Sequence, residues 1–368
     1  MKLTIQRSTL STILGRTATV TKTKSPHPLT QNVLLRADAG VLSAAATDLY
    51  HSVSTSAPAE ISEAGTVAVN CRDLLDRVKS LPEGNVVLST DKDKLRLASG
   101  KRKHALSTYD AESFPAIAAE LSTGRKLPAN VLSNLFAQVR HAASTDVDRP
   151  QINAVLLELV GDKIMATTTD GKRLAHALAT IDVGPPMLPG EAVVPIQAVD
   201  ALTALLGADE TLFSWDAARM SVRSGATVFT TQLTTGSFPN WRQIVPEKRN
   251  PMVVDRKELM AAVSSVQKAS PVGDKFGSVE LRIAPGKVRL MADGNGEAED
   301  ELAVEYEGSE YAIGMQGNFA IEAMNTLDAD RVRVSVTDEL DPVFFWTDGD
   351  LGFRLVMPCR LRDAGGAK

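Results

Sequence analysis

The order of helix and strand signals predicts an α+β protein of three tandem units, each βαβββαβββ over about 120 residues. Three observations carry this. Two amphipathic helix patterns recur in each third of the 368-residue chain, with apolar side chains at helical spacing. Between the helices lie short runs of alternating apolar and polar residues, which make sheets with one buried face. The polar segments Thr47-Asp48, Thr169-Asp170-Gly171 and Asp293-Gly294-Asn295-Gly296 hold the same slot in each third. Boundaries are expected in the short stretches Ala116–Gly124 and Val245–Asn250, giving units 1–120, 121–246 and 247–368.

Each unit opens with a short strand: Leu3–Gln6, Lys126–Pro128 and Met252–Val254. The first helices are Arg7–Arg16, Val131–Arg140 and Arg256–Val266. In the middle one, Val131, Leu132, Leu135, Phe136 and Val139 fall on one face; Leu259, Met260, Val263 and Val266 do the same in the last. Next come Val33–Ala37, Ala154–Val160 and Val279–Ile283. Short turns at Ala39-Gly40, Gly161-Asp162 and Pro285-Gly286 lead to second strands at Val41–Ala45, Lys163–Thr167 and Lys287–Met291. A further strand reaches Val67–Val69, Val193–Val194 and Tyr311–Ile313, just before the second helices Cys71–Val78, Ala198–Leu206 and Phe319–Leu327. Hairpins close each unit: Val86–Thr90 with Leu95–Ser99, Thr211–Trp215 with Met220–Arg223, and Val332–Thr337 with Val343–Trp346.

Composition narrows the function classes. Hydrophobic residues make up 43% and charged residues 23%, ordinary for a globular chain with its own core. Two cysteines, Cys71 and Cys359, and five scattered histidines give neither a disulfide framework nor a metal-ligand pattern, so no metal or cofactor is expected. No apolar run approaches the ~20 residues of a spanning helix. The first residues read as a strand rather than a signal peptide, so a cytoplasmic protein is expected. A P-loop, a nucleophile elbow, His-Glu-x-x-His and Cys-x-x-Cys are all absent from the sequence, which argues against an enzyme. The net charge of −5 is uneven: residues 1–120 carry +3, residues 121–246 carry −1 and residues 247–368 carry −7. An acidic total argues against nucleic-acid binding unless basic groups gather on one face. A protein-binding repeat scaffold is the rival reading.

Several marks, in combination, resemble the bacterial DNA polymerase III beta subunit family, the replicative sliding clamps. They are Met1-Lys2-Leu3-Thr4-Ile5, Arg149-Pro150-Gln151-Ile152-Asn153 before Val155-Leu156-Leu157-Glu158, Thr169-Asp170-Gly171-Lys172-Arg173-Leu174-Ala175, Gly236-Ser237-Phe238-Pro239-Asn240-Trp241, and Val356-Met357-Pro358-Cys359-Arg360-Leu361. The resemblance covers essentially the whole chain. It implies a head-to-tail homodimer closing into a six-unit ring, with sheets outside and two helices per unit lining the hole. Twelve helices about 10 Å apart make a circle about 38 Å across. Subtracting helix bodies leaves a lumen of about 28 Å, wide enough for a duplex roughly 20 Å across. Such a ring makes no bonds. It encircles duplex DNA without reading sequence and raises the local concentration of the replicative polymerase it tethers.

The resemblance also implies three sets of site residues. DNA-facing cations are expected at Lys22, Lys24 and Arg149 in loops, and at Arg7, Arg16, Arg77, Lys79, Arg140 and Lys268, with Arg72, Arg256 and Lys257 as further candidates. The second helices of units two and three carry no Lys or Arg, and Pro150 and Gln151 stand where family members have aromatic residues that touch DNA. A peptide groove between units two and three would take short extended motifs from the polymerase, the clamp loader and other partners. Its residues would be Ile152, Thr169, Gly171, Lys172, Arg173, Leu174, Pro239, Gln243, Ile244, Leu340, Pro342, Leu355, Met357, Pro358, Cys359 and Arg360, with Met357, Leu174 and Ile244 as apolar walls. Lys172 and Cys359 depart from the family pattern, so shifted affinity for partner motifs or groove-directed small molecules is expected, and a specialised copy is the alternative. The dimer seam would pair His104 and Leu106 with Pro271 and Val272, with Glu297, Glu299 and Asp300 facing Arg72 or Arg77.

Overall fold

The six predicted helices form as α1 (Arg7–Thr17), α2 (Cys71–Ser80), α3 (Val131–Val139), α4 (Ile196–Leu205), α5 (Arg256–Val266) and α6 (Gly317–Asn325). The structure is a computed structural model that describes every residue except 23, 24, 26, 118–120, 129, 182–189, 208, 209, 248, 249, 272, 276, 339, 350, 351 and 361–368. Lys24 and Val272 therefore lie outside the described residues.

Helix starts are set locally. The Asn70 side chain accepts from Asp73 N at 3.0 Å to cap α2, and Asp255 accepts from Glu258 N at 2.9 Å to cap α5. Other first-turn amides find loop carbonyls instead: Arg7 N donates to Gly84 O at 2.9 Å, Arg256 N to Asp330 O at 2.8 Å and Gly317 N to Gly277 O at 2.7 Å. Gly317 is required there, because a Cβ would lie 2.8 Å from Gly277 O and 2.4 Å from Gln267 Oε1.

Between its two helices each predicted unit gains a strand that the sequence reading lacked: His51–Pro58, Arg173–Thr180 and Glu297–Ala303. The order is therefore βαββββαβββ, with a short extra strand at Glu60–Glu63 and another at Pro358–Cys359. The added strands carry weak signals. The first is rich in Ser and Thr, the second in Ala, and the third alternates acidic residues with Ala and Leu. Strand propensity is set by packing and pairing more than by residue type.

The chain divides into two compact units, residues 1–133 with 182–234 and residues 134–181 with 235–368. Sheets that run through the predicted joints explain this. In the first unit, His51–Pro58 pairs with Thr227–Gln232. In the second, Arg173–Thr180 pairs with Phe353–Val356. The first unit's core packs Leu10, Ile13 and Leu14 of α1 and Leu74, Leu75 and Val78 of α2 on Val33, Leu35, Leu88 and Leu97. The second unit's core packs Leu259, Val263 and Val266 of α5 and Phe319, Ala320 and Met324 of α6 on Val279, Leu281, Val288 and Ile313.

Asn70→Ala and Asp255→Ala should each cost about 1 kcal/mol in urea unfolding, whereas Gln316→Ala, before α6 and without a side-chain cap, should cost under about 0.5 kcal/mol.

Candidate functional site

The joint in the second unit is built from backbone outward. Arg173, Leu174, Ala175 and His176 stand opposite Val356, Leu355, Arg354 and Phe353, and Met357 N extends the ladder to Lys172 O at 2.8 Å. The turn before this strand is fixed by two side chains. Thr169 Oγ1 accepts from Gly171 N at 3.1 Å and donates to Arg173 O at 2.7 Å. Asp170 Oδ1 accepts from Lys172 N at 2.8 Å and Arg173 N at 3.1 Å. Gly171 takes φ +89°, and the Arg149 guanidinium reaches within 3.6 Å of where a Cβ would sit.

Beneath this turn lies a group that the sequence reading missed. Arg354 is 0% exposed. Its guanidinium donates to Thr326 Oγ1 at 2.7 Å, His176 O at 2.8 Å, Phe353 O at 3.0 Å, Thr326 O at 3.2 Å and Gln138 Oε1 at 3.4 Å. One side chain thus ties α3, the residue after α6 and both joint strands. The available signal was a single cation inside the otherwise apolar run Phe353-Arg354-Leu355-Val356. Arg173 lies nearby, paired with Asp170 at 3.1 Å and with Glu322 of α6, its guanidinium 4.1 Å over the Phe319 ring. His176 stacks 4.7 Å from Trp241 and 5.0 Å from Phe353, and its Nδ1 meets Thr167 Oγ1 at 2.9 Å.

These surroundings keep two histidines neutral. Burial, then the Arg354 and Arg173 charges, lowers His141 to about 3. Burial, then Arg242 and Arg354, lowers His176 to about 4.

The predicted groove residues separate by position. Gly171, Lys172, Pro239, Gln243 and Arg360 are exposed, Ile244 and Leu340 are 44% and 78% exposed, and Arg173, Met357, Pro358 and Cys359 are half-buried. Leu174, Leu355, Ile152, Thr169 and Pro342 are buried. Leu174 is therefore corrected from an open wall to the layer beneath, since it is 1% exposed on the covered face of its strand, opposite Leu355. Cys359 is corrected too. It stands opposite Gly314 in the sheet and lines, with Arg360, a cleft of about 860 Å³ over Ser278, Glu280, Met291 and Glu297. Burial raises its thiol pKa, followed by a hydrogen bond with Ser278 that lowers it.

The predicted cations lie on helices and loops, several already paired. Arg7 pairs with Glu83, Arg77 with Asp73 at 2.8 Å and Lys22 with Asp48 at 3.6 Å. Arg256 is turned inward, donating to Ala329 O at 2.6 Å and Met324 O at 3.3 Å. Arg16 reaches Thr55 Oγ1 at 3.4 Å. Arg149, Arg72, Lys79, Lys257 and Lys268 are exposed, and Arg140 is half-buried. Of the seam residues, His104 and Pro271 are half-buried and Glu297 and Glu299 are exposed. Leu106, expected at the seam, is buried in the first unit's core, which makes it an anchor of its strand rather than a seam contact. Glu299 already pairs with Arg289 at 2.9 Å within its own sheet. Among the described residues no cluster of potential metal ligands occurs, and no helix is long and apolar enough to cross a membrane.

Two predictions follow from this geometry. Arg354→Met removes a donor from the buried carbonyls of His176 and Phe353 and from the half-buried carbonyl of Thr326 and should cost about 2–4 kcal/mol in urea unfolding. The second concerns pH. An unfolded histidine titrates near ~6.5, above both folded values. Below that pH the unfolded chain binds protons that the folded chain refuses. Stability should fall by up to about 1.4 kcal/mol per pH unit per ring until the folded pKa is reached. The melting temperature should drop from pH 7.5 to 5.0, with a shallower slope in His176→Gln.

Comparison with known proteins places this geometry in a lineage. The chain matches the N-terminal domain of the DNA polymerase III beta subunit over residues 1–118, the central domain over 126–240 and the C-terminal domain over 242–360. It is 30% identical to the beta sliding clamp of Vibrio cholerae over 370 residues, covering 98% of this chain and 100% of that one. It is 29% identical to that of Pseudomonas putida over 375 residues, with the same coverage. Among solved structures, the Pseudomonas aeruginosa sliding clamp bound to griselimycin superposes with a TM-score of 0.93 at 27% identity, covering 98% of this chain and 100% of that one. The Caulobacter crescentus beta sliding clamp superposes at 0.92 and 26% identity, again over 98% and 100%. The chain belongs to the DNA polymerase III beta subunit family, the non-catalytic DNA sliding clamps.

Proposed function

We propose that this sliding clamp tethers its partners on the surface around Met357, and that it closes head to tail as a homodimer. The observation that carries the partner site is the Thr169–Arg173 turn, which is hydrogen-bonded to the Met357 backbone. An open Gly171, the half-buried Met357 and the exposed Ile244 and Leu340 belong to the same unit. An extended peptide with two or three apolar residues and a Gln suits such a surface, because a Met side chain adapts to varied partners. The griselimycin bound by the Pseudomonas aeruginosa relative supports a ligand-accepting surface on this fold. Cys359, turned to its own cleft, drops out of the altered-groove reading, and Lys172 remains. Its ammonium at the rim favours partner motifs with acidic flanks. A clamp-binding peptide should bind Met357→Ala at least about 5-fold more weakly, a loss of about 1 kcal/mol. An acidic-flanked peptide should lose affinity for Lys172→His; equal affinities would remove the specialised-groove reading.

Charge and open strand edges support the ring. Glu297–Ala303 is an edge strand, paired with Lys287–Asp293 alone among the described pairings. Arg102–Tyr109 pairs with Lys94–Ser99, but meets its other neighbour only at Thr108 and Tyr109, leaving residues 102–107 open on that side among the described pairings. Open edges invite pairing with another chain. Arg102 and Lys103 are exposed on one edge, and Glu297, Glu299 and Glu301 on the other. Glu299 and Glu301 already engage Arg289 and Lys287, so seam pairs would join an existing network rather than form alone. The three domains assigned to 1–120, 121–246 and 247–368 would then alternate around a cytoplasmic six-domain ring. Replacing Arg102 and Lys103 by Glu should shift the dimer to monomer in sedimentation at moderate salt. A dimer unchanged by that reversal would move the seam elsewhere.

A further inference from the structure

We infer that the Leu49–Tyr50 turn, with Lys22, is a contact for single-stranded DNA: Lys22 on a phosphate and the Tyr50 ring on an unpaired base. The inference rests on the chain's membership of the DNA clamps and adds a site and a strand preference to it.

The turn is a twin of the one beside Met357. In the first unit, Thr47 Oγ1 accepts from Leu49 N at 3.0 Å and donates to His51 O at 2.7 Å. Asp48 Oδ1 accepts from Tyr50 N at 3.0 Å and His51 N at 2.7 Å. Gln232 N donates to Tyr50 O at 2.9 Å, as Met357 N does to Lys172 O at 2.8 Å. Gln232 Nε2 adds a bond to Leu49 O at 3.3 Å. The backbone of the tip is held from both sides.

What the turn presents differs from its twin. Gly171, at φ +89°, is replaced in this slot by Leu49 at φ +81°. A bulky side chain with positive φ is a genuine outlier that persists only where the surroundings enforce it. Leu49 is 48% exposed and Tyr50 62% exposed, so neither side chain is there to fill a core. The floor of this joint is also polar. Ser52 stands opposite Thr230, and Thr230 meets Ser221 at 2.9 Å, where the twin has Leu174 opposite Leu355. Hydroxyl groups and an amide suit phosphate and sugar better than an apolar peptide.

Lys22 supplies the charge. Its ammonium lies 6.0 Å from the Tyr50 ring centroid and 3.6 Å from Asp48 Oδ2. Asp48 Oδ1 takes the two backbone N–H groups and Oδ2 meets one side of the ammonium; the Lys22 side chain is 48% exposed, so its remaining N–H donors can meet a phosphate. Stacking selects the strand type. Bases inside a duplex present their faces to each other, so an exposed phenol can stack only on an unpaired base. A clamp at a primer end has such bases on the template beside it.

The test uses the full-length clamp and two fluorescein-labelled oligonucleotides at low salt, a blunt duplex and the same duplex with a single-stranded overhang. Wild type should bind the overhang substrate more tightly. Tyr50→Ala should lose about 5-fold or more on the overhang substrate, the lower end for one stacked base, with blunt-duplex affinity unchanged. Tyr50→Phe should keep the preference, and Lys22→Gln should weaken the overhang substrate more than the blunt duplex. An unchanged overhang-to-duplex ratio in Tyr50→Ala overturns the inference while leaving the clamp assignment standing. Loss of polymerase binding without DNA, with the overhang preference intact, overturns it in favour of a protein contact. Failure of wild type to bind the overhang substrate also overturns the inference and leaves the clamp assignment standing, because encirclement requires loading.

Discussion

A guanidinium sealed from water holds together the joint of this clamp at which a partner site is proposed. Arg354 gathers the carbonyls of His176, Phe353 and Thr326 with the side chains of Thr326 and Gln138. A buried cation is tolerated only where its hydrogen-bonding capacity is met. Here meeting it fixes the spacing of α3, the end of α6 and the two strands that carry Lys172 and Met357. The same charge helps keep His141 and His176 neutral. The aromatic packing of His176 with Trp241 and Phe353 therefore remains a packing of uncharged rings at working pH. Arg354 thus acts on position and packing at this joint and adds to burial, and at His176 to Arg242, in keeping the rings neutral.

The two joints described show how a repeat diverges while its backbone stays constant. Both use a Thr-Asp pair to fix a turn and a strand amide to close the ladder. In one, glycine at the left-handed position and leucines below leave an apolar, adaptable surface. In the other, leucine is forced into the same conformation and hydroxyls lie below. Side-chain chemistry, not backbone geometry, separates the proposed peptide surface from the inferred DNA contact. The cleft over Ser278 and Cys359 is a third outcome, in which an acidic rim surrounds a half-buried thiol kept protonated by burial.

Much of the architecture was legible in the sequence, for physical reasons. The helices carried periodic apolar faces, and each came within two residues of its predicted start. The strands lost were those whose stability comes from pairing: His51–Pro58 and Arg173–Thr180 lie at joints, and Glu297–Ala303 at an acidic edge. Candidate site residues were named through motif resemblance, which carries no information on depth. Leu174 and Leu106 were placed at a groove wall and a seam by resemblance alone, which does not say how deeply a side chain is covered. Arg354 passed unnoticed because a cation in a strand usually marks an exposed edge. Its burial depends on carbonyls from segments far away in sequence.

The central claim is topological, so the decisive measurement is topological. The clamp, loaded onto a nicked circular plasmid by a clamp-loader ATPase, should co-elute with DNA in gel filtration and resist moderate salt. Cutting the circle once should release it, because only encirclement holds it. Equal retention on circular and linear DNA would show direct gripping of the duplex and contradict a sliding ring.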